Sequence, residues 1–210
     1  MIMSISSCGR LLLAGAVAVG LCSGSASAQN PAANSPAALE VAITYAGERA
    51  QIAPGTCGCF WLQGGGADAA LALWKGFAAS ASLTGDHASS YYSGFDVNKI
   101  TYLFGPRYTY SGGRIRAIKH QAQIFGEALF GGVHAFNGAF PTSTGLAPSA
   151  NSFAMQVGGG INLVLLSRVG IRVFQADYVR TDLPNNYSKS QNDLRLAVGV
   201  TYRVGSLRFK

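Results

Sequence analysis

The sequence predicts an all-β chain, an eight-stranded antiparallel up-and-down transmembrane β-barrel. Three observations carry that expectation. Apolar residues recur at every second position in eight separate stretches, charge is scarce, and the connections alternate between tight and long. Residues 193–205, DLRLAVGVTYRVG, show the pattern best. Leu194, Leu196, Val198, Val200, Tyr202 and Val204 alternate with Asp193, Arg195, Ala197, Gly199, Thr201, Arg203 and Gly205. A period of two makes a strand with one apolar and one polar face. In a soluble protein the apolar face packs on a core; in a membrane barrel it meets lipid.

Residues 1–28 are expected to be a signal peptide. Arg10 gives a positive start, Leu11 begins a short apolar run, and Ala26-Ser27-Ala28 forms an A-x-A cleavage site before Gln29. The run is too short to span a bilayer. A lipoprotein signal competes because Cys22 follows Gly20-Leu21, but Leu21 is large for the position before a lipidated cysteine. Cleavage removes Arg10, so the net charge falls from +7 to +6 over the remaining 182 of 210 residues. It leaves Cys57 and Cys59, whose C-x-C spacing would close a strained disulfide ring; two small residues in a turn are favoured. No nearby His or second Cys pair completes a metal site, and no cofactor is expected.

Charged residues are only 12% of the chain, against roughly 25% in typical globular proteins. Apolar residues reach 49%, yet no run after the signal approaches the ~20 residues of a membrane helix. The basic residues form no clustered stripe, which argues against nucleic acid.

Residues 29–38 read as a flexible leader, and 39–210 as the barrel. In the first strand Leu39, Val41, Ile43 and Tyr45 alternate with Glu40, Ala42, Thr44 and Ala46. The second, 61–73, sets Ala67, Ala69, Leu71 and Leu73 against Gly66, Asp68 and Ala70. The third sets Phe77, Ala79, Ala81 and Leu83 against Ala78, Ser80, Ser82 and Thr84. The fourth is aromatic, with Ile100, Tyr102, Phe104, Tyr108 and Tyr110 opposite Thr101, Leu103, Gly105, Arg107 and Thr109. Pro106 on its aromatic face removes a ladder donor. The fifth, about 118–133, places Ala122, Ile124, Ala128 and Phe130 opposite Gln121, Gln123, Phe125, Glu127 and Leu129. The sixth places Phe153, Met155, Val157, Ile161 and Leu163 opposite Ala154, Gln156, Gly158, Gly160 and Asn162. The seventh, 171–181, loses phase at Val173-Phe174, where a bulge returns Gln175 and Asp177 to the face of Arg172. The eighth is the stretch quoted first.

Tight connections are expected at 74–76, 111–114 and 167–168, and long polar ones at 86–98, 137–151 and 184–192. The first hairpin, 54–59, is short and breaks the trend. Short turns on one rim and long loops on the other are expected of an outer-membrane barrel. The polar faces also lack the Lys and Glu of a water-facing surface. They carry small residues with isolated charges of both signs, which suits the interior of an eight-stranded barrel. Trp61, Trp74, Phe77, Tyr110 and Tyr202 sit near strand ends, where an interfacial girdle belongs. The apolar faces therefore point into lipid, and the last strand must pair with the first because no edge survives in hydrocarbon. A lumen charge network is expected among Glu40, Asp68, Arg107, Glu127, Asp177, Arg195 and Arg203.

Nearly the whole mature chain resembles the small OmpA-like outer-membrane β-barrels, a bacterial outer-membrane barrel-domain family. The resemblance lies in Cys57-Gly58-Cys59-Phe60, Leu103-Phe104-Gly105-Pro106-Arg107, Gly158-Gly159-Gly160, Gln175-Ala176-Asp177-Tyr178 and Gln191-Asn192-Asp193-Leu194-Arg195. Gly199, Tyr202 and Val204 resemble the assembly signal read by the barrel-insertion machinery. Two positions depart from it: Ala197 stands where a polar residue is usual, and the chain ends Leu207-Arg208-Phe209-Lys210. No peptidoglycan-binding domain is expected after the eighth strand.

The resemblance implies a non-enzymatic integral outer-membrane protein with a largely plugged lumen, no catalytic residues, and a structural or surface role that extends to adhesion or ligand contact through its loops. Its partners would be outer-membrane lipid, lipopolysaccharide and the assembly machinery, with no extracellular ligand named and no nucleic acid. Two alternatives are a narrow pore for small solutes, against which bulky Phe125 and Leu129 argue, and an enzyme. Lipid A deacylases are also eight-stranded barrels, with His-x-Ser catalysis, and His87-Ala88-Ser89 has that spacing. A three-residue match arises easily by chance, and Asp86 would have to point correctly to orient the base. His120 and His134 read as surface or lumen packing.

Overall fold

Alternation carries each of the eight stretches into a strand, in the order expected. The computed structural model describes residues 39–51, 59–92, 95–115, 120–184 and 190–205. The signal peptide, the leader and Cys57 lie outside the described residues. The strands are β1 (Leu39–Gln51), β2 (Cys59–Trp74), β3 (Phe77–Tyr92), β4 (Phe95–Ile115), β5 (His120–Thr142), β6 (Gly145–Val164), β7 (Val169–Thr181) and β8 (Gln191–Val204). Each pairs antiparallel with its neighbours, and β8 pairs with β1, so the sheet closes with no edge.

The register fixes the barrel's shape. Following the register from Leu39 through Leu71, Ala79 and Pro106, then to Ala128 by continuity from the flanking pairs Phe104–Phe130 and Arg107–Glu127, and on through Val157, Tyr178 and Leu194 leads back to β1 at Arg49, ten residues beyond the start. Eight strands with that stagger tilt by roughly 40° and leave an interior that side chains can fill.

The two faces separate as expected. On β8, Val200 is 54% exposed and its neighbour Thr201 is 0%. Leu71, Leu83, Tyr102, Phe104, Ile124, Val157, Leu194 and Val198 join Val200 outside, as do Trp61, Trp74, Phe77, Tyr110 and Tyr202. Burying that belt in lipid requires every backbone polar group to be paired within the sheet, and closure achieves this.

The bulge in β7 lies where phase is lost. Ile161 faces Phe174 and Asn162 faces Arg172, so Val173 has no partner on β6. Val173 and Phe174 both point outward, and Arg172, Gln175 and Asp177 are all buried. The turn between β2 and β3 is the two-residue Lys75-Gly76, with φ of +42° and +91°. Positive φ at both positions is the hairpin geometry that matches strand twist, and glycine adopts it without strain.

The connections differ from expectation in two ways. Residues 111–114 do not form a turn. β4 continues to Ile115, with an irregularity between Ser111 and Arg114, because Gly112-Gly113 accommodates extra backbone within the ladder. Nor are 86–98 and 137–151 loops. β3 and β4 extend to Tyr92 and Phe95, and β5 and β6 run to Thr142 and Gly145, joined by Ser143-Thr144. Polar residues there mark emergence from the apolar belt into water, not the end of strand pairing. Similarly, β8 begins at Gln191 and β5 at His120.

Candidate functional site

The lumen is packed in layers. The lower layer centres on Glu40, at the end where both described termini and the Lys75-Gly76 turn lie. Its carboxylate accepts from Arg107 Nη2 at 2.9 Å, Arg203 Nε at 3.0 Å and Asn162 Nδ2 at 3.0 Å, with Arg172 Nη2 3.9 Å away. One carboxylate on β1 thus faces three guanidinium groups from β4, β7 and β8. Arg172 Nη1 donates to Asp68 at 2.5 Å and to Gln175 Oε1 at 2.7 Å, and Ser82 Oγ donates to Asp68 at 2.7 Å. Glu127 lies opposite Arg107 in register and accepts from Gln156 and Gln175. Gln175 also donates to Asp177, 2.8 Å away.

Phe125 fills the centre of this layer. Arg107 lies 3.9 Å from its ring centroid and Arg172 4.7 Å, so two cations stack on one desolvated ring. The ring has room because Gly160 stands opposite; a Cβ there would press on Phe125 and on the β7 backbone. Above it, Leu103, Leu129, Val133 and Ala154 form an apolar band on the β4–β6 wall. A second ionic group faces that band. Lys99 pairs with Glu48, and Asp86 is the register neighbour of Lys99. Arg195 stands between Glu48 on β1 and Asp177 on β7. Ala50, Leu62, Ala88, Val97, Ala135 and Phe140 form a further buried apolar cluster towards the upper end.

All seven residues expected in the lumen point into it. Their partners were open in the sequence, and the centre of the network, Arg172, was not among them; nor were Glu48, Lys99 and Asp86. Glu48 was accessible, since it continues the inward series Glu40, Ala42, Thr44, Ala46. Lys99 and Asp86 fell in a stretch read as loop. Gly199 turns inward, and Tyr202 and Val204 face outward at the end of β8.

A second constellation lies on the outer wall. His87 Nδ1 is 2.8 Å from Asn98 Oδ1, and His87 Nε2 is 2.9 Å from Ser89 Oγ. An amide oxygen only accepts, so Nδ1 carries a proton, and in the neutral ring Nε2 is then the acceptor facing the Ser89 hydroxyl. Asp86 is buried inside the barrel, as strand alternation from His87 requires, and does not reach the histidine from outside. His134 Nδ1 similarly meets Asn151 Oδ1 at 2.7 Å across β5 and β6. Among the described residues no group of three His, Cys, Asp or Glu is arranged to hold a metal ion.

A closed eight-stranded barrel with an apolar exterior and a charged, filled interior is the architecture of the small outer-membrane barrels. The fold is the OmpA-like one. It is similar to the attachment invasion locus protein Ail of Yersinia pestis in complex with the heparin analogue sucrose octasulfate, with TM-score 0.51 and 14% identity over 79% of this chain and 97% of that one. Neisserial surface protein A matches equally, with TM-score 0.51 and 14% identity over 79% and 97%. At these identities the likeness is one of fold. No family model and no curated protein sequence matches the chain.

Proposed function

We propose that the chain is an integral protein of the bacterial outer membrane whose lumen is plugged and whose role is structural and surface-directed. The observation that carries this is Glu40, bridged to Arg107, Arg172 and Arg203 across the space a solute would need. Phe125 and the band of Leu103, Leu129 and Val133 add buried bulk to the same interior. The apolar belt takes outer-membrane lipid and lipopolysaccharide as its surroundings. Gly199, Tyr202 and Val204 on β8 are the positions offered to the assembly machinery.

The β3–β4 and β5–β6 hairpins rise furthest above the belt, and they face the exterior in this reading. They are the surfaces through which ligand contact or adhesion would occur. Ail, an attachment protein, has the same fold; this supports the possibility of such contact without naming a ligand. Planar-bilayer recording tests the plug: purified protein is expected to give no sustained conductance steps, and defined steps would overturn it. A protease-accessible tag after Thr144 tests orientation, with cleavage in intact cells expected.

A further inference from the structure

We propose that the lower rim of the barrel, the end that carries the Lys75-Gly76 turn, is a cationic ring that binds the phosphate of anionic phospholipid headgroups. The inference rests on the reading of the chain as a membrane barrel and names the lipid that surrounds one end of it.

The charges of the chain are sorted by position. Nine residues are acidic; Asp96 and Asp182 lie at the upper rim, and the other seven turn into the lumen. The lower rim therefore has no carboxylate. Each connection at that end is instead cationic. Lys75 lies in the β2–β3 turn and Arg168 in the β6–β7 turn, and both are exposed. Arg114 stands at the end of β4, and the sequence joining β4 to β5, 116–119, contains Arg116 and Lys119. The upper rim is mixed. Arg180 lies 3.6 Å from Asp182 there, and Arg49 and Asp96 are exposed at the same end.

Depth identifies the partner. The Lys75 ammonium does not project away from the barrel: Nζ lies 4.8 Å from the centroid of the Trp74 ring, over an aromatic of the girdle. Phe77 and Tyr108 pack together on the neighbouring strands, with ring centroids 4.9 Å apart. Arg168 closely follows Leu165 and Leu166, both exposed, the latter by 67%. Cations set against exposed Trp and Leu stand where hydrocarbon gives way to headgroups, and the phosphodiester is the anion at that depth.

The distribution argues the same way. The cations occupy turns around the barrel, as lipid does, whereas a protein docking from the water would meet one side. A two-residue turn such as Lys75-Gly76 is also too short to reach far beyond the headgroups.

Chemistry selects among phospholipids. A phosphoethanolamine headgroup brings an ammonium, and a rim without a carboxylate gives that ammonium no partner. A phosphoglycerol headgroup brings the phosphate charge alone. One exposed cation near a membrane surface favours the anionic lipid by roughly fivefold, and salt screens the effect.

The test reads lipid preference at the rim of the folded barrel, with heat-modifiable gel mobility confirming the fold of every variant. In a Trp61→Phe background Trp74 is the one tryptophan left. Its quenching is measured in mixed vesicles of phosphatidylglycerol and phosphatidylethanolamine, with one lipid or the other bromine-labelled. Phosphatidylglycerol is expected to associate roughly fivefold more strongly at low salt, and the preference should vanish at about 1 M salt. Lys75→Gln should remove it, Lys75→Arg should keep it, and Arg180→Gln at the upper rim should leave it unchanged. A probe moved to the other side, Leu166→Trp with both native tryptophans replaced by Phe, should show the same preference and lose it with Arg168→Gln. Equal quenching by the two lipids at either probe would overturn the ring, as would a preference that Lys75→Gln leaves intact. In a separate arm, barrels in nanodiscs are sedimented with peptidoglycan sacculi, and the same background is expected for the parent and for Lys75→Gln/Arg168→Gln. Sedimentation that the double variant loses would assign the rim to that polymer and overturn the proposal. Both vesicle leaflets carry the same lipids, so the quenching does not depend on which way the barrel faces. A negative result leaves the plug and the orientation standing, whereas failure to insert at all would strike the membrane reading itself.

Discussion

The side chain of Glu40 faces Arg107, Arg172 and Arg203 inside the barrel, so removing its charge leaves three cations short of a partner. Breaking a buried ion pair by deleting one member costs about 3–5 kcal/mol. Glu40→Gln is therefore expected to destabilise the barrel by about that amount, measured as unfolding free energy in lipid vesicles, and a change within error would contradict the network. On the outer face, Val200→Arg should cost roughly 2–4 kcal/mol near the midplane, with a matching loss of heat-modifiable mobility. Thr201→Ala, one residue away and buried inside, should fold like the parent. The inward direction of the charged residues was legible because alternation needs no partner to be known. Their pairing was not. Asp68 meets Arg172, 104 positions away, and only the register brings them together.

At the scale of the strand, the β7 bulge makes a sharper claim. Arg172 and Gln175 both face inward with two outward residues between them. Deleting Val173 therefore restores simple alternation and preserves the pairs Ile161–Phe174 and Asn162–Arg172. The variant is expected to fold, whereas deleting Ala176 turns either Gln175 or Asp177 into lipid and should abolish folding; circular dichroism and gel mobility together distinguish them. The bulge was visible in the sequence because two adjacent large apolar residues interrupt a strict period. The lengths of β3 to β6 were not visible. Polar residues such as Asp86, Asn98 and Ser149 can end a strand or continue it in water, and composition does not separate the two. The same misreading hid only the third member of the outer-wall constellation: Asn98 joins His87 because the β3–β4 ladder continues past the belt.

For the whole molecule, closure and inversion are one requirement. An apolar exterior is stable only in hydrocarbon, hydrocarbon demands a sheet without edges, and closing eight strands at a ten-residue stagger encloses the charges. The plug proposed above would follow from the narrowness of that interior, and on that proposal conductance should stay absent even when the upper hairpins are shortened. The most direct measurement of the inversion is fluorescence quenching in lipid vesicles, with single cysteines placed at Val198, Val200, Ala197 and Thr201 in a background lacking Cys57 and Cys59. Probes attached to the folded barrel at 198 and 200 should be quenched by a bromine-labelled acyl chain, and those at 197 and 201 should be spared. Equal quenching at all four sites, or stronger quenching at 197 and 201, would contradict the account.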